Sequence, residues 1–196
     1  MMASTTRSGS HSAIPVKGGT YQGEWKDTMR HGHGKMTYSD KRVYEGEWER
    51  DLRHGFGTLT YPAKKGAERQ YAGEWVEGEK EGYGVMLYGK HHSYEGEWMG
   101  NQQCGWGRMA YTNGEYYEGE WKGGMREGEG VLLFPGGNVY EGQWQNDKRE
   151  GKIQPLIRCC AGREGGMIEI LINTHLQNGW WVEDVLKCSV LTKNKR

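Results

Sequence analysis

Long apolar runs are missing from this sequence, and branched aliphatic side chains are scarce in it. No stretch reaches the roughly 18 apolar residues that a membrane-spanning helix needs, and the opening "MMASTTRSGSHSAIP" lacks the apolar core of a secretion signal. We therefore expect a soluble, cytoplasmic protein. The shortage of Leu, Ile, Val and Phe also argues against an ordinary globular core, so the apolar area must come from other residue types.

A surplus of charge of either sign is also missing. The 26 basic and 26 acidic side chains balance, so nothing in the composition indicates a nucleic-acid partner. The four cysteines, Cys104, Cys159, Cys160 and Cys188, have no metal-ligand spacing. We expect free thiols, no metal site and no cofactor.

Glycine and aromatic residues are abundant instead, with 33 Gly, 12 Tyr and 9 Trp, and they recur with a fixed period. The motif Y-x-G-[EQ]-W appears six times, at steps of 23, 27, 23, 23 and 23 residues. Its tyrosines are Tyr21, Tyr44, Tyr71, Tyr94, Tyr117 and Tyr140, and its tryptophans are Trp25, Trp48, Trp75, Trp98, Trp121 and Trp144.

A second motif, G-x-G-x-[ML]-x-[YF], begins seven residues after the tryptophan in the first five units. Both motifs alternate with the period of a strand, so their aromatic residues, glycines and Met or Leu share one face of a hairpin. An aromatic ring lying across a strand needs a neighbour without a side chain, and glycine supplies that space. We interpret the two residue types as complementary halves of one packing contact.

These patterns predict an all-β fold: an elongated, single-layer antiparallel meander of about six 23-residue hairpin repeats, with eleven or twelve strands. Turns are predicted at 112–114 and 135–138, where "TNG" and "PGGN" join consecutive units. The 27-residue step reflects a longer loop within 61–71. Right-handed twist should coil the sheet gently and form a groove along it.

Three segments are predicted: a disordered 1–16, a repeat array at 17–152 whose last unit is incomplete, and a non-repeat tail at 153–196. The tail contains "GMIEILINTHLQNGWWVEDVLK", whose apolar spacing at Ile168, Leu171 and Ile172 fits one face of a helix. Such a helix would cap the open last strand. A disordered tail is the alternative.

Two sets of aromatic residues are candidates for partner binding. Phe56, Tyr83 and Trp106 occupy the middle of G-x-G in three successive units, on the parity opposite the packing face. Exposed there, they would form an apolar patch of the kind that anchors interfaces. The alternative is that they pack against the tail or lie at a bulge. The second set lines the predicted groove and consists of Tyr38, Tyr61, Tyr88 and Tyr111.

No catalytic pattern is present, so we predict neither an enzyme nor a small-molecule substrate. The G-x-G glycines do not follow a buried strand and open a helix, as a phosphate-binding loop requires. The glutamates between Gly and Trp have the parity opposite the aromatics and are predicted to be solvated: Glu24, Glu47, Glu74, Glu97 and Glu120. The histidines His31, His33, His54, His91 and His92 are likewise expected to be exposed.

The two motifs together resemble the MORN repeat, the membrane occupation and recognition nexus motif, over residues 20–151. The resemblance implies a non-catalytic scaffold that binds a protein partner, either a helix or an extended segment, along the groove. It further implies a ciliary or flagellar setting, and the units are most similar to sperm-associated animal members of the family. A flagellar axoneme or acrosomal vesicle is the location that this resemblance suggests. The motif tyrosines and tryptophans are then structural residues of the repeat.

The family name also suggests peripheral binding to phosphoinositides or other acidic phospholipids. Such binding needs clustered Lys and Arg, yet residues 17–152 contain 19 basic and 22 acidic side chains. Local positive charge occurs in three stretches, which supply the candidate lipid-binding residues Arg30, Lys35, Lys64, Lys65, Arg69, Lys148 and Arg149. We therefore rank lipid binding below protein docking.

Overall fold

The structure is a computed structural model, and it describes residues 7–64, 67–150, 168–172 and 175–179. These residues form strands and no helix. Thirteen strands make one open antiparallel sheet in which every strand pairs with its neighbours in sequence. They are β1 Gly9–Val16, β2 Gly19–Lys26, β3 Met29–Tyr38, β4 Val43–Glu49, β5 Leu52–Lys64, β6 Ala67–Val76, β7 Glu79–Gly89, β8 His92–Met99, β9 Gln102–Ala110, β10 Tyr116–Lys122, β11 Met125–Leu133, β12 Val139–Gln145 and β13 Lys148–Glu150. The predicted hairpin meander is confirmed.

Two-residue turns close the hairpin inside each unit. Asp27 and Thr28 have φ angles of 50° and 67°, and the equivalent pairs in the other units also include residues with positive φ. Positive φ at both central residues matches the right-handed twist of the flanking strands. The turns between units are where the sequence predicts them, since the Gly114 amide donates to the Tyr111 carbonyl and the Gly137 amide to the Phe134 carbonyl, both at 2.9 Å.

The core of the sheet lies on one face. The buried side chains are the motif tyrosines and tryptophans together with the Met or Leu of the second motif, Met36, Leu59, Met86, Met109 and Leu132. Glycines form the floor of this core: a Cβ on Gly84 or Gly107 would overlap the phenol of Tyr71 or Tyr94, respectively. Glycine and aromatic residues are therefore the two halves of one contact, as their spacing predicts.

The structure corrects the prediction that 1–16 is disordered. Residues Gly9–Val16 form β1, which pairs with β2 and raises the number of strands in the sheet above the predicted eleven or twelve. Ile14 and Val16 alternate along β1 and pack against the aromatic core, with Ile14 opposite Tyr21. Without this strand β2 would be an unpaired edge beside a buried tyrosine.

The predicted helix in the tail is also wrong where the tail is described. Ile168–Ile172 forms β14 and His175–Gly179 forms β15, and the two pair only with each other. The β-branched residues Ile168, Ile170 and Ile172 occupy alternate positions, which favours a strand over a helix. This hairpin does not extend the thirteen-stranded sheet. The rest of the predicted helix lies outside the described residues.

Candidate partner-binding faces

Alternation divides the thirteen-stranded sheet into two faces with different chemistry. We call the face that carries the motif tyrosines and tryptophans the front face, and the opposite one the back face. Phe56, Tyr83 and Trp106 are on the back face, whereas Tyr38, Tyr61, Tyr88 and Tyr111 are on the front. The two predicted sets of partner-binding residues therefore cannot form one site.

On the front face the motif residues form a continuous aromatic ladder. Each motif tyrosine contacts the tryptophan of its own unit edge to face, and the first five also contact that of the next unit, with ring centroids 5.0 to 5.5 Å apart. Edge-to-face pairs stabilise beyond the area they bury. The ladder is the structural spine of the sheet.

Hydrogen bonds satisfy the polar atoms of this ladder except the buried Trp25 indole nitrogen, which has no partner among the described residues. The Tyr94 hydroxyl donates to the Glu97 carbonyl at 2.9 Å, and the Trp98 indole donates to the Gly84 carbonyl of the preceding unit at 3.1 Å. The same two contacts recur along the array. Burial raises the pKa of Tyr21 to about 12. These phenols therefore stay protonated and act as donors.

A column of cations covers the ladder, at the residue five positions after each motif tryptophan. Its members are Arg30, Arg53, Lys80, Gln103, Arg126 and Arg149, so that only the fourth unit lacks a charge. The Arg53 guanidinium lies 4.2 Å from the centroid of the Trp75 ring, and the Lys80 ammonium lies 4.6 Å from that of Trp98. Arg126 lies 4.1 Å from Trp144. Such stacking is a cation–π interaction.

Of this column, only Arg30 and Arg149 are among the binding candidates predicted from the sequence. Arg53, Lys80 and Arg126 were missed because they lie outside the short basic stretches, although the 23-residue period contains the signal. The fourth unit substitutes Gln103, whose amide donates to the Tyr88 hydroxyl at 2.8 Å. Glutamine is therefore compatible with the fold at this position.

Acidic partners neutralise only two of the five cations of the column, and Arg149 in its last unit has none among the described side chains. Arg30 pairs with Asp51 and Arg126 pairs with Asp147, both at 3.0 Å. Among the described side chains, Arg53, Lys80 and Arg69 have no carboxylate within ion-pair distance.

The pKa of Lys80 indicates that positive charge is concentrated at the centre of the front face. Burial first, and then the charges of the neighbouring Arg53 and Arg69, together lower its pKa to about 8. A cation whose pKa is lowered by other cations lies where an anion would be stabilised. The centre of the front face is thus an uncompensated positive patch.

The predicted groove tyrosines line the front face beside the ladder. Tyr38, Tyr61, Tyr88 and Tyr111 are half-buried and pack against the core. Cationic or imidazole side chains contact all four: Arg42 lies 5.1 Å from the Tyr38 ring, Arg69 lies 5.2 Å from that of Tyr61 and Arg126 lies 5.9 Å from that of Tyr111. His92 lies 4.6 Å from Tyr88. It is half-buried, as are His31 and His54, which corrects the predicted exposure of these three histidines.

On the back face the three G-x-G aromatics are solvent-exposed. The exposed fractions are 65% for Phe56, 50% for Tyr83 and 46% for Trp106. The Tyr83 hydroxyl donates to Glu95 at 2.8 Å. Of the alternatives for these residues, the bulge is observed, since Phe56, Tyr83 and Trp106 each lie where the register shifts against the preceding strand, although their rings still face solvent. Packing against the tail would involve side chains outside the described ones.

The repeated glutamates are more than a solvated surface. Each accepts a hydrogen bond from the backbone amide nine residues later, as in Glu74 to Tyr83 and Glu97 to Trp106, both at 3.0 Å. The preceding glycine has positive φ, 59° at Gly82 and 55° at Gly105, where the register shifts between strands. The carboxylate thus closes a bulge, a role that its parity alone does not reveal.

The structure does not gather the lipid-binding candidates into one patch. Arg30, Arg69 and Arg149 are on the front face, whereas Lys35 is on the back face and pairs with Glu45 at 3.1 Å. Lys148 is exposed on β13, next in the chain to Arg149. Lys65 and the side chain of Lys64 lie outside the described residues.

The part of the chain that the structure describes contains no group of three or more His, Cys, Asp and Glu side chains placed to hold a metal. His31, His33 and His54 do line a cleft of about 340 Å³ with Glu47 and Glu49. Nor is there, in the same residues, a helix long and apolar enough to cross a bilayer.

Comparison with known protein families identifies the repeat. The family model of the MORN repeat matches residues 21–41, 44–63, 71–93, 94–116, 117–139 and 140–152. A comparison with curated proteins finds no match. Repeats of this family generally mediate protein or membrane interactions and are generally non-catalytic. The match covers more than half of the sequence and coincides with the ladder units, so the chain belongs to the MORN repeat family.

Proposed function

We propose that this protein is a non-catalytic scaffold that docks a protein partner on its front face. The observation that carries the proposal is the uncompensated positive patch formed by Arg53, Lys80 and Arg69. These cations lie beside half-buried tyrosine rings, so the face offers apolar contact and positive charge together. Aromatic residues and arginine are the residue types that dominate binding energy at interfaces.

The partner surface that fits this face combines acidic and apolar side chains. The strands are about 4.8 Å apart, so the thirteen-stranded sheet extends over roughly 60 Å. A helix or an extended segment lying across the strands would meet the tyrosine row and the cation column in successive units. Its carboxylates would pair with Arg53 and Lys80 at the centre.

Membrane binding is the second candidate, and one observation favours it. The net charge of the repeat array suggests weak attraction to acidic lipids, but the cations are concentrated on the front face while glutamates predominate on the back. Each basic side chain near an anionic surface contributes about 1 kcal/mol. A lipid surface would therefore meet the same residues as an acidic protein.

The cellular setting is proposed from resemblance alone. The Y-x-G-[EQ]-W units and the longer loop within 61–71 resemble those of sperm-associated animal members of the family. On this basis we place the scaffold in the cytoplasm, in a ciliary or flagellar assembly or at the acrosomal vesicle.

A charge-neutral variant tests the docking proposal. Arg53→Gln, Lys80→Gln and Arg69→Gln together remove the central charge, and Gln103 shows that the fourth unit already has glutamine at the position equivalent to the first two. Extracts of ciliated or testicular tissue are passed over the immobilised full-length protein, the variant and a back-face control, Met99→Ser. The dominant captured proteins should be lost from the triple variant only. Equal capture by all three proteins would contradict the proposal.

A vesicle assay separates the lipid alternative. The full-length protein is sedimented with vesicles containing phosphoinositides and phosphatidylserine, at low and then at physiological salt. Binding that persists at physiological salt and is lost in the triple variant would favour the membrane function. Binding that salt abolishes would be the weak, screened attraction expected of a protein-docking face.

A further inference from the structure

The exposed aromatics of the back face form a row that crosses the sheet. Phe56 is on β5, Tyr83 on β7 and Trp106 on β9, at the same position of three successive units. Because neighbouring strands are about 4.8 Å apart, rings on alternate strands repeat at about 10 Å. Solvent-facing surfaces seldom carry large aromatic side chains that are this exposed and this regularly spaced.

Carboxylates lie between the rings. Glu74 on β6 is the register partner of Phe56, Glu97 on β8 is that of Tyr83, and Glu120 on β10 is that of Trp106. One oxygen of each carboxylate accepts a backbone amide. None of these glutamates forms an ion pair with a described side chain. The row therefore alternates exposed rings with uncompensated negative charges.

The cations Arg108 and Lys35 of this face do not neutralise the glutamates of the row. Arg108, two residues beyond Trp106, pairs with Glu118 at 3.2 Å, and Lys35 pairs with Glu45. The unpaired glutamates and the aromatic rings both attract cations. A cation that lies above a ring and also meets a carboxylate gains from both contacts. The chemistry of the row is complementary to lysine and arginine.

We propose that the back-face row of Phe56, Tyr83 and Trp106, with its intervening glutamates, binds an extended basic segment of a partner protein. The ring spacing indicates the form of that segment. A polyproline II helix brings every third side chain to the same side after about 9.3 Å, close to the ring repeat. The fitting sequence carries Lys or Arg at every third position. This site is on the face opposite the proposed docking surface and does not depend on it.

The probe is a fluorescein-labelled peptide of three Arg-Pro-Pro units, titrated with the full-length protein while fluorescence anisotropy is measured. A peptide of the same composition with its three arginines adjacent tests the spacing. Wild-type protein should bind the spaced peptide several-fold more tightly. No binding of the spaced peptide, or equal binding of both peptides, would overturn the proposal.

Two variants test the residues. Phe56→Ser, Tyr83→Ser and Trp106→Ser together should weaken binding about tenfold or more, from three exposed cation–π contacts. Glu74→Gln, Glu97→Gln and Glu120→Gln keep an oxygen acceptor for the backbone amides but remove the charge, and should also weaken binding about tenfold. Met99→Ser, a back-face residue that is 64% exposed, is the matched control and should bind as the wild type does.

A folding defect is distinguished by thermal unfolding of each variant. The glutamine variant retains the backbone contacts, so it reports on charge even where the serine variant is destabilised. Unchanged affinity of the glutamine variant, or equal weakening by Met99→Ser, would overturn the proposal.

Discussion

Tyr94 and Tyr83 lie on neighbouring strands of one sheet, yet the first is 0% exposed and the second is 50% exposed. Among the residues that the structure describes, no second layer covers either of them. Tyr94 is enclosed from its own face by two tryptophan rings and by glycines beneath its phenol. Tyr83 has none of these and faces outward between glutamates. Burial in this fold comes from neighbouring units on the same face rather than from an opposing layer.

The charges follow the same division. The front face places arginine and lysine over the aromatic ladder, and the back face places glutamate beside exposed rings. The two faces therefore carry opposite charges, although the basic and acidic residues of the whole sequence balance. On the docking proposals made above, each face would select a different class of partner.

The largest expected contrast between the faces comes from tyrosine truncation. Tyr94→Ala removes a fully buried ring and should lower the free energy of unfolding by about 4 kcal/mol, as for other large-to-small core changes. Tyr83→Ala should lower it by less than about 1 kcal/mol, since that side chain is half exposed. Urea unfolding followed by tryptophan fluorescence measures both. Equal losses would show that the back-face aromatics also belong to the core.

Two glycine substitutions test how tightly the core on the front face is packed. Gly84→Ala places a Cβ against the Tyr71 phenol and should destabilise by about 3 kcal/mol, because the ring has no room to move. Gly136→Ala is the control, since nothing lies within 4 Å of its Cβ. Its effect should stay within about 0.5 kcal/mol. A tolerated Gly84→Ala would mean that the glycine floor does not define the ladder.

A smaller effect is expected from the back-face carboxylates. Glu97→Ala leaves the Trp106 amide without its acceptor and should lower the free energy of unfolding by about 1 kcal/mol. Glu97→Gln retains an oxygen at that amide and should recover most of the loss. Thermal unfolding at matched pH measures the difference. If glutamine and alanine were equally damaging, charge rather than the hydrogen bond would hold the bulge.

The smallest expected effect is a pH dependence from Lys80. Its folded-state pKa of about 8 lies below the unfolded value of about 10.4. The unfolded chain therefore binds more protons between these pH values, and stability should rise with pH across that window. Partial exposure keeps the rise below about 1 kcal/mol.

The control for this effect is Lys80→Arg, which introduces the residue found at this position in four of the other units and stays charged. Its unfolding free energy should lack the rise that the wild type shows between pH 8 and 9.5. Above pH 10 both proteins should lose stability, because the raised pKa values of the buried tyrosines let the unfolded chain release protons first. Identical pH profiles for the two proteins would contradict the buried position of Lys80.

The repeat architecture was predictable because its signals are local and repeated. A 23-residue period with strand alternation identifies the hairpins, and "TNG" and "PGGN" identify two of the turns. Gly9–Val16 was missed because β1 adds to the array without carrying either motif. Its pairing depends on Ile14 and Val16 meeting the ladder. The helix expected near Ile168 failed since its apolar spacing also fits alternating β-branched residues.

The candidate site was only partly predictable, for a different physical reason. Residue parity correctly separated Phe56, Tyr83 and Trp106 from the groove tyrosines. The cation column was missed since its members become neighbours only when successive units stack. The glutamates were read as solvent-facing because the bulge at the following glycine, which brings a backbone amide to the carboxylate, depends on register between strands.

The most direct test of the central claim is the acylation of Lys80 in the presence of a captured partner. Its lowered pKa makes this amine reactive near neutral pH, and Lys35 on the back face provides an internal reference. Mass spectrometry after brief exposure to an acetylating reagent measures both rates in one sample. The account predicts that the partner slows modification of Lys80 and leaves Lys35 unchanged. An unchanged rate at Lys80 with slowed modification at Lys35 would show that the partner binds elsewhere.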